Sequence, residues 1–278
     1  MIQVADARLR LEELCSDRRR GSSEIVRDLL NALLDLAREG ASRAELLAWA
    51  ERVEAAHPFM ASISLVRRRL SEGDPLPSLG EMLREMREAG ERIAREFSSL
   101  SAEIGLSRVI TLSRSGTVFS CLVNSWSRGV LEEVVVAESR PGGEGVEMAL
   151  LLSEAGVPVR VVPDSCVAWI VAELGTPGLI GADAVLPDGS VLNKVGSLPL
   201  ALALSRAGLP LLVAADLSKL VSAEPPTPVV ELEIHPSLPP SSVPPMEVVP
   251  GDLIDYLVTE RGVLRRPIGE SLNRLLGR

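Results

Sequence analysis

Aromatic side chains are almost missing from this chain, with one tyrosine, three phenylalanines and three tryptophans in 278 residues. Nearly half of the residues are apolar all the same, so a core has to be built from Leu, Val, Ile and Ala. Cysteine is scarce too. Cys15, Cys121 and Cys166 form no CxxC pair and no metal-ligand spacing, and only two histidines are present to help them. That excludes zinc modules and disulfide scaffolds, and no metal is expected. The sequence has no apolar run of about 18 residues and no charged leader followed by an apolar stretch, so a cytoplasmic protein without a membrane span is expected. Positive charge is also short: 29 basic against 38 acidic side chains give a net charge of −9, which argues against non-specific binding to nucleic acid or anionic membrane. Lysine occurs only at Lys194 and Lys219, whereas arginine clusters at Arg18, Arg19 and Arg20 and again at Arg67, Arg68 and Arg69, leaving room for a local anion site.

The first hundred residues have helical texture. Apolar residues recur every three or four positions over 23–38, 41–55, 58–70 and 79–100, with Ser22 or Ser23 as the first N-cap. The last stretch carries many Glu and Arg and is expected to be solvated or at an oligomer interface. From Arg108 the texture changes. RVITLS, EEVVVAES, PVRVVPDS, GLIGAD and PLLVAAD are short apolar runs that each end polar or acidic, with helical stretches between most of them. A parallel sheet covered on both faces requires that alternation. The expectation is an α/β fold, with a helical N-terminal domain over 1–104 and a Rossmann-like C-terminal domain with a parallel sheet over 105–278. The proline-rich segment 223–250 resists regular structure apart from a short strand at 229–234, and PGDLIDYLVTERG is expected to form a turn and a helix.

Ligands of parallel α/β sheets collect beyond the strand C-termini. The expected tips are Ser113; Glu138, Ser139 and Arg140; Asp164 and Ser165; Asp183; and Asp216. Asp183 follows an apolar run and a Gly-Ala step, Asn193 and Lys194 come ten residues later, and Lys219 follows Asp216. Two strand ends thereby bring a carboxylate, an amide and both ammonium groups of the chain towards one crevice. Gly116, Gly142 and Gly143 offer backbone approach to a phosphate at a helix start. SRPGGEG lacks the GxGxxG spacing, so a dinucleotide is not expected, and neither is any other cofactor.

These motifs are similar to those of a known family. GADAVLPDGSVLNKVGS resembles a signature of the alpha, beta and delta regulatory subunits of translation initiation factor 2B, whose relatives include ribose-1,5-bisphosphate and methylthioribose-1-phosphate isomerases. ESRPGGEGVEMALLLSEAGVPVRVVPDS, DRRRGSSEIV and VVPGDLIDYLVTERGV resemble further motifs in the same order, so the resemblance covers almost the whole chain. It implies a helical domain packed on a Rossmann-like one, assembled into homodimers or larger homo-oligomers. In enzymatic members it implies a phosphorylated sugar in the interdomain crevice, where a cysteine and an aspartate help move a proton or hydride between adjacent carbons. Asp183 then corresponds to the aspartate, Asn193 and Lys194 to a substrate-contacting pair, Lys219 to a late lysine, and Arg20 with Gly21 to the phosphate-facing step. Arg140, in the SRP step, is a further ligand-binding candidate.

Two departures stand out. Where the isomerases carry the cysteine, ITLSRSG puts Ser113. A thiol with a pKa of about 8.5 trades protons near neutrality when tuned. A serine hydroxyl needs an adjacent base, so Ser113 is expected to be a hydrogen-bonding strand end. His57 stands where the isomerases carry arginine before proline, and is expected to be structural. Cys121 and Cys166 are expected as buried small hydrophobes, with Cys166 the alternative thiol. The favoured expectation is a non-catalytic, regulatory-subunit-like protein. It would keep a pocket for a small phosphorylated ligand, self-associate, and work with initiation factor 2 or other subunits, away from membrane and nucleic acid. An aldose–ketose isomerase acting through Asp183 is the alternative, and an oligomeric scaffold the third.

Overall fold

A computed structural model describes residues 6–17, 19–227 and 229–277; Arg18 lies outside the described residues. Five helices come first: α1 (Ala7–Ser16), α2 (Ser22–Arg38), α3 (Arg43–Ala56), α4 (Ala61–Glu72) and α5 (Pro75–Glu103). α1 buries only Ala7, Leu11 and Leu14, too few for its period to show in the sequence, and it is held at its start by the Asp6 side chain accepting from the Arg8 N–H at 3.0 Å. The apolar stripes of these helices close on one another around Leu29, Leu33, Leu46, Ile63 and Leu79. Each such side chain removed from water contributes about 1.5–3 kcal/mol.

α5 runs on beyond that cluster and lays Ile93, Ala94, Phe97 and Leu100 on the sheet. Its charged flank is exposed, with Arg92–Glu88 and Arg95–Glu91 pairs at i,i+4 spacing. The expectation of a merely solvated or interfacial helix is therefore corrected: the opposite stripe is core, and it ties the helical part to the sheet.

The α/β part continues through β1 (Arg108–Thr111), α6 (Gly116–Ser127), β2 (Glu133–Ala137), α7 (Glu144–Glu154), β3 (Val159–Val162), α8 (Val167–Leu174) and β4 (Gly178–Ile180). Next come β5 (Ala184–Val185), β6 (Val191–Lys194), α9 (Ser197–Ala207), β7 (Leu211–Ala214), β8 (Val230–Leu232), β9 (Ser241–Val243) and β10 (Met246–Val249). β11 (Tyr256–Thr259), β12 (Gly262–Arg265) and α10 (Ile268–Leu276) close the chain. The main sheet has the order β12-β11-β7-β4-β1-β2-β3 and is parallel except for β12. The chain winds outwards from β1 to β3 and in the other direction from β4 onwards. The switch point lies between β1 and β4, where a crevice forms because the flanking connections leave on opposite sides.

PGDLIDYLVTERG is not a turn and helix. Tyr256 and Leu257 pair in parallel with Leu212 and Val213, and β11 then turns back into β12. The spacing of Ile254, Leu257 and Val258 suits a helix face as well as a buried strand; the free edge of β7 decides. A small antiparallel sheet, β10-β6-β5, sets Met246 opposite Lys194 and Glu247 opposite Asn193. The proline-rich segment folds into a β8–β9 hairpin, with β8 inside the expected short strand. Among the described residues no helix is long and apolar enough to cross a membrane.

Candidate functional site

A cavity of about 510 Å³ opens over the tips of β1 and β4, at the switch point. Arg20, Gly21, Ser113, Asp183, Asn193 and Lys194 all line it, although they come from four separate parts of the chain. Arg140 and Lys219 do not. Arg140 is exposed and pairs with Glu138 at 3.0 Å. Lys219 is 2% exposed and donates to the Ala182 carbonyl at 2.6 Å. It lines a neighbouring cavity with Asp216 and Glu260. The two ammonium groups thus do not meet in one cleft; Lys219 steadies the backbone one residue before Asp183.

Asp183 is pinned by its backbone. Its N–H donates to the Leu192 carbonyl at 2.8 Å, and its carbonyl accepts from the Ala61 N–H at 3.3 Å. The carboxylate makes no hydrogen bond or ion pair with any described residue and faces the cavity. Lys194, at the end of β6, is ion-paired with Glu144 in the first turn of α7. The Asn193 amide donates to Ser197 Oγ at 2.8 Å. The Gly196 and Leu198 N–H groups both donate to Glu247, so the N-terminus of α9 already has its anion.

The opposite wall is basic. Arg20 pairs with Asp17 at 2.5 Å and with Asp28. Burial works against the Arg20 charge, but the Asp17 hydrogen bond and the charges of Asp17, Asp28 and Glu24 outweigh it and raise its pKa. Burial likewise opposes the Asp17 carboxylate, yet the N–H groups of Arg20 and Arg19 and the Arg20 side chain hold it below the usual carboxylate range. A side chain at Gly21 would place its Cβ 2.6 Å from the Arg114 carbonyl, so only glycine lets the start of α2 meet the β1–α6 loop this closely. Arg114 pairs with Glu24 and Glu147 at 3.0 Å each.

Ser113 and Ser139 share an unusual backbone, with φ of 62° and 63°, left-handed values that cost a non-glycine residue strain. Ser113 N–H donates to Ser139 Oγ at 2.6 Å, and Ser139 Oγ donates to the Ala137 carbonyl at 3.1 Å. The Asp164 carboxylate accepts from the N–H groups of Ser139 and Arg140 at 2.8 and 2.6 Å. The tips of β1 and β2 and the turn after β3 are laced together in this way. Ser139→Ala, which leaves the half-buried Ser113 N–H without its Oγ partner, is expected to lower stability by about 0.5–1.5 kcal/mol in chemical denaturation. Ser139→Gly should lose less than Ser139→Ala, because relief of the positive φ offsets part of the lost hydroxyl; equal losses in the two variants would show that the backbone strain is negligible.

Among the described residues no cysteine lines the cavity. Cys121 is buried within α6, where burial pushes its thiol pKa up, and Cys166 packs against the core. His57 is buried, with Nε2–H donating to the Leu14 carbonyl at 2.8 Å. Among the described residues no group of three or more His, Cys, Asp or Glu is placed to hold a metal ion.

The geometry can be set beside known proteins. A family model described as the initiation factor 2 subunit family matches residues 18–266. The chain belongs to this family. Within it, the methylthioribose-1-phosphate isomerase of Methylococcus capsulatus is 30% identical over 232 residues, which is 74% of this chain and 66% of that protein. The chain thus spans just under two thirds of that relative. The ribose 1,5-bisphosphate isomerase of Haloferax volcanii is 27% identical over 82% of this chain and 77% of its own length. The solved Pyrococcus horikoshii translation initiation factor eIF-2B superposes with a TM-score of 0.81 at 26% identity, covering 95% of this chain and 98% of that one.

Reading this initiation factor 2 subunit family member as a sequence missed Glu144. Its signal stood inside SRPGGEG, as a carboxylate just after the left-handed Gly143 that starts α7. What gives that carboxylate meaning is Lys194, 50 residues further on, and no local pattern announces the pair. Arg114, whose partners Glu24 and Glu147 are equally remote in the chain, escaped notice for the same reason.

Proposed function

We propose that the protein is an aldose–ketose isomerase of a pentose 1-phosphate, of the methylthioribose 1-phosphate type. The observation that carries this is the Asp183 carboxylate, uncommitted in the cavity while Arg19, Arg20, Arg114 and Lys194 each have a carboxylate partner. Arg19, Arg20 and the start of α2 at Gly21 form the end suited to a phosphate. Asp183, Asn193 and Lys194 form the end suited to sugar oxygens. In such a reaction the ring C1–O bond breaks and the ring oxygen takes a proton. The hydrogen on C2 moves to C1, and the C2 hydroxyl gives up its proton as the carbonyl forms. Substrate and product are isomers, so no redox partner enters the balance. Asp183 supplies the proton to the ring oxygen.

The relatives named as isomerases support this reading over the non-catalytic role put first from the sequence. Ser113 in place of a thiol is what favours the regulatory-subunit reading as the second. The outer strand β3 leaves Val161 exposed, as are Leu150 on α7 and Trp169 on α8, which supports self-association. The test is incubation of the protein with methylthioribose 1-phosphate and, separately, ribose 1,5-bisphosphate, with the ketose product followed by NMR. Turnover of at least one is expected. Silence with both, together with capture of initiation factor 2, would put the regulatory reading in its place.

A further inference from the structure

We infer that Glu144 is the second proton-handling residue of this cavity, taking the proton of the sugar hydroxyl that becomes the carbonyl, a task for which Ser113 offers no thiol. The inference rests on the isomerase reading above. Glu144 is 3% exposed and lines the cavity with Asp183. Its Oε1 is held by the Lys194 ammonium, while Oε2 is buried with no hydrogen-bond partner among the described residues. A buried carboxylate oxygen without a donor is costly, and a ligand hydroxyl would satisfy it. Glycine at 142 leaves the space the carboxylate occupies, since a Cβ there would come 2.5 Å from it.

Elimination points the same way. The lining carboxylates are Asp17, Glu144 and Asp183. Asp17 is consumed by Arg20 and by two backbone N–H groups. The lining cations Arg19, Arg20, Arg114 and Lys194 are all ion-paired, and the His57 Nε2–H is committed to Leu14. Asp183 and Glu144 are left as a donor and an acceptor. In one cycle the Asp183 carboxyl gives its proton to the ring oxygen as the C1–O bond breaks. Glu144 takes the C2 hydroxyl proton as the C2 hydrogen shifts to C1, and once the ketose leaves the two carboxyl groups restore their protons through solvent.

The test uses the full chain with whichever pentose 1-phosphate the wild type turns over. Glu144→Gln is expected to lower kcat by about 10²–10³ with KM within a few-fold, and to remove the acid limb of the kcat–pH profile. Glu144→Asp should keep part of the rate and that limb, which a merely structural role for the Lys194 pair would not predict. Both variants are checked for an unfolding midpoint near that of the wild type; if Glu144→Gln fails to fold, Glu144→Asp carries the test through its retained acid limb. Wild-type kcat in Glu144→Gln alongside a dead Asp183→Asn would overturn this inference and leave the isomerase reading standing. A wild type that turns over neither sugar phosphate removes both.

Discussion

Replacing Asp183 by asparagine is expected to leave the protein folded and to lower turnover of the pentose 1-phosphate by about 10³, or ~4 kcal/mol of barrier. The two halves of that expectation come from different atoms. Folding is insulated because Asp183 is held through its backbone, to Leu192 on β6 and to Ala61 at the start of α4, and its carboxylate has no bond to any described residue. The amide keeps the shape and loses the capacity of the carboxyl group to hand over a proton. The unfolding midpoint should stay within a couple of degrees of the wild type while kcat collapses and binding of the sugar phosphate persists. Retention of a tenth or more of the wild-type kcat would show that the proton to the ring oxygen comes from elsewhere.

Gly145→Ala is expected to have the largest effect on stability. A Cβ on Gly145 would lie 1.8 Å from the Ala137 carbonyl at the end of β2 and 2.8 Å from Ser139 Oγ. The nearest obstacle is backbone and cannot rotate away, so α7 must move off the sheet. Overpacking of this kind costs about 3 kcal/mol. In a domain of this size that is roughly 6–12 °C in Tm. The same shift would drag Glu144 and Ser139 out of register with the cavity, so activity should fall with stability. Gly80→Ala in α5 is the contrasting case. That glycine is exposed in a helix and a Cβ there meets nothing within 4 Å, so the substitution should stabilise by about 0.5–1 kcal/mol. Equal effects of the two changes would refute the close-approach account of Gly145.

The candidate site was partly legible as a string of residues. Asp183 stands out because it comes after an apolar run that has to be a strand, and the residues just past such a strand in an α/β sheet lie at its open end; Asn193 and Lys194 come ten residues later and sit in β6 of the small antiparallel sheet. Lys219 has the same local signature, yet its ammonium turns back onto Ala182. Arg140 sits at a tip but points to solvent, while its neighbour Ser139 turns in to hold Ser113. Sequence position places a residue at a strand end; it does not say which way the side chain leaves. The same limit explains β11, whose apolar spacing fitted a helix until the edge of β7 was there to pair with it.

By itself, the amino-acid order determined that this is an α/β protein with a helical N-terminal part, since long stretches of period 3.6 bury one helix face and apolar runs of four to six, repeated between helical stretches, fill a covered parallel sheet. It also determined which side chains could do proton or anion chemistry. Only the tertiary structure decided which of them meet, because that depends on the β1–β4 switch and on pairs such as Lys194–Glu144 that lie 50 residues apart. Burial is a local property that sequence periodicity records, whereas convergence on a cavity is set by sheet order, which no segment carries alone.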